Sequence, residues 1–141
     1  MKKISIIIAI ALFITTGCDK KLELKNPQAI DAAGAFSTSD KVKLVVIANY
    51  SSLGATSLFG GAVLWMSELM ASDGDLNWVG TFPEPRQIWS KNILLSNSNV
   101  AATYSQAYRV IFNANNIIAN ADVVDAADKP QVIAEAKFQR A

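Results

Sequence analysis

The segment from about 98 to 121 constrains this chain most. Val100, Tyr104, Tyr108, Ile111, Asn115 and Ile118 recur at i, i+4, i+8, i+11, i+15 and i+18. That spacing lines them along one face of a single long α-helix. A helix of this length must bury its apolar stripe against other elements, so it predicts further helices around it. Asn115 sits inside the stripe. A buried amide without partners costs a few kcal/mol (about 1–3 in proteins), so it is expected to bond to a neighbouring helix's backbone.

Three other stretches carry helical patterns. Ser37 to Asp40 offers several N-caps, and Val42, Val45, Val46, Asn49 and Leu53 follow at helical spacing, giving a helix over about 39–54. Leu44 and Ile47 fall on its other side, so burial on more than one face is expected. Residues 62–71 (AVLWMSELMA) read as a second helix after the turn Gly54 to Gly61, with Trp65 in the core. Near the end, Asp128-Lys129-Pro130-Gln131 reads as a helix start: Asp as N-cap, Pro in the first turn, Gln at the capping-box position. Ala134, Phe138 and Ala141 then form an i, i+4, i+7 stripe that another helix, next in sequence, would cover. Between the second and third helices, about 72–97 has no period and holds Gly74, Gly80, Pro83 and Pro85. It is expected to be a long irregular loop with a short extended piece at 87–95. Loops of that length are usually functional. The predicted fold class is therefore all-α.

The N-terminus carries an address. Met1-Lys2-Lys3 is a positive n-region, Ile4 to Ile14 is apolar except for Ser5, and Thr15-Thr16-Gly17 leads to Cys18. Residues 1–17 have the layout of a secretory signal peptide, too short in its core to stay as a membrane span. A small residue before a lone Cys resembles a bacterial lipobox, in which Cys18 is acylated after cleavage; an unmodified thiol is the other reading. Residues 18–37 are polar and mixed and read as a tether, followed by a domain over 38–141. As the only cysteine, Cys18 excludes an intrachain disulfide. Cys18 to Ala141 is 124 residues with 11 basic and 12 acidic side chains, which gives no electrostatic case for nucleic acid.

Four stretches together resemble the SusD/RagB family of Bacteroidetes outer-membrane lipoproteins: the signal ending at Cys18, "SELMASD" (Ser67 to Asp73), "YRVIFNANNII" (Tyr108 to Ile118) and "AEAKFQRA" (Ala134 to Ala141). The last resembles a Glu-Ala-Lys-Phe-Leu-Arg-Ala signature, with Gln139 where the family has Leu. The resemblance implies the N-terminal part of a SusD-like, tetratricopeptide-type helical fold, truncated as its repeats begin. It implies a surface-exposed, lipid-anchored subunit at the cell outer membrane that binds glycans or other nutrient oligomers. Its partner would be a SusC-like TonB-dependent transporter.

The resemblance also points to the loop after "SELMASD" as a ligand surface, with Trp78 as a stacking aromatic and Asp75, Asn77 and Arg86 as polar partners. Sugars bind to flat apolar ring faces flanked by fixed polar groups, and these residue types supply both. Trp78 and Trp89 equally support a reading in which they pin the loop onto the helices. Asp73-x-Asp75-x-Asn77 with Glu84 at the twelfth position follows part of a calcium-loop spacing, but Trp78 stands where the turn needs Gly. No cofactor and no metal are expected. The chain has no histidine and no nucleophile motif, so a binding protein is expected and not an enzyme. The alternatives are a helical-repeat lipoprotein with a structural or protein-interaction role, or a non-functional truncated fragment.

Overall fold

The computed structural model describes residues 32–71 and 76–141. Cys18, the signal stretch, the tether up to Asp31, and Asp73 and Asp75 lie outside the described residues. The described chain is all-helical: α1 (Ala32–Ala35), α2 (Ser39–Leu53), α3 (Ala62–Ala71), α4 (Pro83–Trp89), α5 (Ser98–Ala119), a 3₁₀ turn (Ala121–Val123) and α6 (Lys129–Arg140).

Helices α2, α5 and α6 pack on one another around Val42, Val46, Ile117, Val124, Val132 and Ala136. The α2 start is set by Thr38, whose hydroxyl accepts from the Lys41 N–H at 3.4 Å. Its apolar positions are buried as its spacing predicts: Val42, Val46 and Asn49 face inward. Leu44 and Ile47, expected to be buried as well, stay about 60% exposed (62% and 61%), because no described element covers that side. The chain enters earlier than the tether boundary suggests. Helix α1 precedes Phe36, which packs against the core from within the stretch read as tether.

The long helix is where expected, but its buried face is a different one. Val110, Ala114 and Ile117 face the core, whereas Tyr104, Tyr108 and Asn115 are exposed. The reason is steric. Ala114 on α5 and Ala136 on α6 are both fully buried, and side chains this small let packed helices approach closely. The larger residues are left outside, where the Tyr104 and Tyr108 rings meet with centroids 4.4 Å apart. Asn115 therefore does not tie α5 to a backbone; its Oδ1 accepts from Arg140 Nη1 at the surface, 3.2 Å away.

The buried amides of this bundle belong instead to Asn49 and Gln139. Asn49 is fully buried, and its Nδ2 donates to the Val110 carbonyl (3.2 Å) and to Gln139 Oε1 (2.8 Å). Gln139 Nε2 donates to the Val46 carbonyl at 3.1 Å, and Asn113 Nδ2 donates to Asn49 Oδ1 at 3.2 Å. One polar knot thus joins α2, α5 and α6, with its buried side-chain atoms satisfied.

Helix α6 begins differently from expectation. Asp128 occupies the N-cap position in αR conformation and makes no side-chain cap bond. Its carboxylate is taken by Lys43 Nζ at 2.8 Å, an ammonium that Asp40 also holds at 3.2 Å. Gln131 bonds forward to Glu135 and forms no capping box. The stripe of Ala134, Phe138 and Ala141 is exposed, with Phe138 70% accessible.

Among the helices, α3 and α4 lie against each other and against α5. The stretch expected to be irregular thus contains a helix, and no extended piece forms at 87–95. Pro83 starts α4 because its fixed φ suits a first helical position and its missing N–H leaves no donor unpaired. Ile88, fully buried, anchors it. Lys91 follows with φ 58 and donates to the Leu69 carbonyl at 2.8 Å near the end of α3. The turn into α3 is tight enough that a Cβ at Gly60 would collide with the Gly54 carbonyl oxygen.

Candidate functional site

Where α3, α4 and the start of α5 converge, they enclose a cleft of about 650 Å³ lined by Trp65, Trp78, Phe82, Glu84, Pro85, Ser98 and Asn99. Its floor and walls are fixed by hydrogen bonds that follow from the local sequence. Asn97 is the hinge of this construction. Its Oδ1 accepts from the Asn99 and Val100 N–H groups at 3.1 and 3.2 Å, which caps α5. Its Nδ2 donates to the Glu84 carbonyl (3.0 Å) and to Gln87 Oε1 (2.9 Å), which holds α4 against that cap. Only 2% exposed, Asn97 spends its whole hydrogen-bonding capacity on this junction. Ser98 and Asn99 on one wall are therefore rigidly related to Glu84 and Pro85 on the other.

The aromatic part is fastened separately. Trp78 Nε1 donates to the Phe82 carbonyl at 3.1 Å, and Arg86 Nη2 donates to the Gly80 carbonyl at 3.0 Å. These two bonds fold residues 78–82 back onto α4. The indole of Trp78 lies so close to Gly80 that a Cβ there would sit 2.6 Å from Cζ2. Trp78 stays half-buried, with Phe82 67% exposed beside it. The result is an apolar surface of two indoles and a phenyl ring, edged by one carboxylate, one hydroxyl and one amide. Such a surface can stack on a flat apolar ring face and hydrogen-bond polar groups at its rim.

The candidate residues read from the sequence are distributed as follows. Trp78 lines the cleft, and its own N–H pins the loop. Arg86 does not line the cleft; its guanidinium serves the Gly80 carbonyl and braces the loop. Asn77 is exposed and outside the lining. Asp75, and with it Asp73 of the calcium-like spacing, lies outside the described residues. Trp65, expected in the core, is half-buried and lines the cleft, because α3 buries Ala62 and Leu69 instead. Trp89 is half-buried and apart from the lining. Phe82, Ser98 and Asn99 are not singled out by sequence, and Glu84 only as the twelfth position of the calcium-like spacing. The signal for Ser98 and Asn99 was the helix start at Asn97, whose first turn faces whatever precedes it.

A second groove, about 300 Å³, runs between α2 and α6 and is lined by Lys43, Val46, Ile47, Asp128, Gln131, Val132 and Glu135. Its one cation is already neutralised. The Asp128 hydrogen bond first, and the Asp40 one second, raise the Lys43 pKa above its ordinary 10.5. Among the described residues no group of three or more carboxylate, thiol or imidazole side chains is placed to hold a metal ion. Among them, too, no helix is long and apolar enough to cross a membrane.

Comparison with known proteins agrees with the resemblance drawn from the four motifs. The chain is 30% identical over 145 residues to SusD-like protein P2 of Formosa agariphila, covering 100% of this chain and 28% of that protein. It is 32% identical over 149 residues to SusD-like protein P25 of the same organism, covering 96% of this chain and 28% of the relative. The chain thus spans less than a third of the length of these relatives. No protein-family profile and no solved structure matches it.

Proposed function

We propose that this chain carries part of a glycan-binding surface in a SusD-like nutrient-capture lipoprotein, with the aromatic cleft as the place where sugar stacks. The observation that carries the reading is Trp78, held half-exposed by its bond to the Phe82 carbonyl beside Trp65 and Phe82. A ring fixed before ligand arrives loses little further entropy on stacking, which is what a sugar platform requires. The polar rim of Glu84, Ser98 and Asn99 suits hydroxyls. Acylation of Cys18 would anchor the protein in the outer membrane, and a SusC-like TonB-dependent transporter would receive the captured oligomer.

The test is calorimetric titration of the purified protein with an oligosaccharide panel, comparing wild type with Trp78→Ala. Loss of one stacking ring is expected to weaken binding by about 1 kcal/mol or more, roughly fivefold. Unchanged affinity in Trp78→Ala would remove the cleft from consideration. A second reading, a protein-interaction role, is favoured by the exposed Leu44, Ile47, Phe112 and Phe138.

A further inference from the structure

Among the described residues, the charge on the cleft wall is one-sided. Of the seven lining residues, Glu84 alone is ionisable; the rest are aromatic, proline, hydroxyl or amide. The backbone that bears it is fixed, since Asn97 Nδ2 holds the Glu84 carbonyl at 3.0 Å. No basic residue is among the described lining, and the nearest cations along the chain, Arg86 and Lys91, bond backbone carbonyls instead of the Glu84 carboxylate. Arg86 is two positions along α4, a separation at which helix side chains do not face each other, and it bonds the Gly80 carbonyl. Lys91 donates to the Leu69 carbonyl. The N-terminal donors of α5 at Asn99 and Val100 are taken by Asn97 Oδ1.

We infer that Glu84 gives the cleft a charge preference: it accepts neutral glycans and repels those whose stacked unit carries a carboxylate or sulfate. The inference rests on the cleft being a sugar site, and it adds which sugars. A half-buried carboxylate beside low-dielectric indole and phenyl rings is screened less than one in open water, so an anion brought into contact is disfavoured. Discrimination is expected at about tenfold between otherwise matched ligands.

Two measurements test it on the purified protein. In the first, tryptophan fluorescence is quenched with anionic iodide and with neutral acrylamide. Glu84→Gln is expected to raise iodide quenching and leave acrylamide quenching unchanged, while Glu84→Asp, which keeps the charge, behaves as wild type. Equal iodide quenching in wild type and Glu84→Gln overturns the charge preference. In the second, a panel of neutral hexasaccharides is titrated against acidic counterparts of the same linkage, such as β-1,4-mannohexaose and β-1,4-hexamannuronate. Wild type should favour the neutral member by about tenfold, and Glu84→Gln should erase the difference by improving the acidic one. Acidic sugars bound as well as neutral ones by wild type would overturn the inference while leaving glycan binding in place. An intact iodide effect with no sugar bound anywhere in the panel would overturn the glycan reading and leave the charged wall standing.

Discussion

Gln139 decides how α6 sits. The signature that the "AEAKFQRA" stretch resembles has Leu at this position, and a Leu here would fill the space but accept nothing from Asn49. Asn49 would keep the Val110 carbonyl and lose its 2.8 Å bond to Gln139 Oε1. Gln139→Leu is therefore expected to destabilise the fold by about 1–3 kcal/mol in chemical denaturation, the range for a buried donor stripped of a partner. Adding Asn49→Leu to it should recover part of the loss, because removing both partners costs less than orphaning one. Additive losses in the double-mutant cycle would mean the two amides do not act as a pair. Gln139 and Asn49 are thus two amides on different helices joined by one hydrogen bond. The sequence makes the departure at Gln139 visible, but its partner lies 90 residues away and periodicity says nothing about that distance.

Among the elements, the α4–α5 junction depends on Asn97. Replacing it with Ala removes a helix cap and two bonds that hold α4 in place, so Asn97→Ala is expected to cost about 2 kcal/mol and to lower the melting temperature. The cleft should widen with it, seen as a red shift of the tryptophan emission; an unshifted spectrum would mean α4 is held by Ile88 alone. Helices α2, α3, α5 and α6 are legible in extent from their helical spacing, although α6 starts without the cap read for it. Helix α4 is not, since Pro83-Glu84-Pro85 reads as a breaker until Pro83 is placed at a first helical turn. The face of α5 was misread for a different reason. Its two aromatic rings carry the apolar pattern, yet the face that is buried is the one with Val110, Ala114 and Ile117. As for the cleft, Trp78 was legible through its place after "SELMASD", while Phe82, Glu84, Ser98 and Asn99 meet only when α4 folds back on α5.

For the whole molecule, charge sets an unusual insensitivity. The chain has no histidine. Asp122 is held below its ordinary 3.8 by the hydrogen bond from Lys129 first and that cation's field second, so its contribution to stability is present above that value and is lost as pH falls through the lower folded pKa. Lys43 is raised above 10.5, so its contribution is complete below that value and is lost only as pH rises through the higher folded pKa. Neither window touches neutrality. Stability by denaturant titration should therefore stay flat between about pH 5 and 9. A slope in that interval would require a shifted group outside these pairs. The same surface leaves apolar side chains of α2, α5 and α6 accessible, Leu44 and Phe138 among them, and these are the positions where a covering element would gain most.

The two packing groups have a kinetic meaning. The polar knot and the apolar cluster of α2, α5 and α6 do not include α3 or α4, which reach that bundle through the first turns of α5. A region joined so narrowly can open without melting the rest. Amide protons of α3 and α4 should therefore exchange with solvent deuterium in a faster, cooperative step than those around Ile117 and Ala136. If so, the cleft is a door on a firm frame, able to rearrange around a bulky polymer while the bundle behind it stays folded. Uniform protection across all five longer helices would show the frame and the door to be one piece.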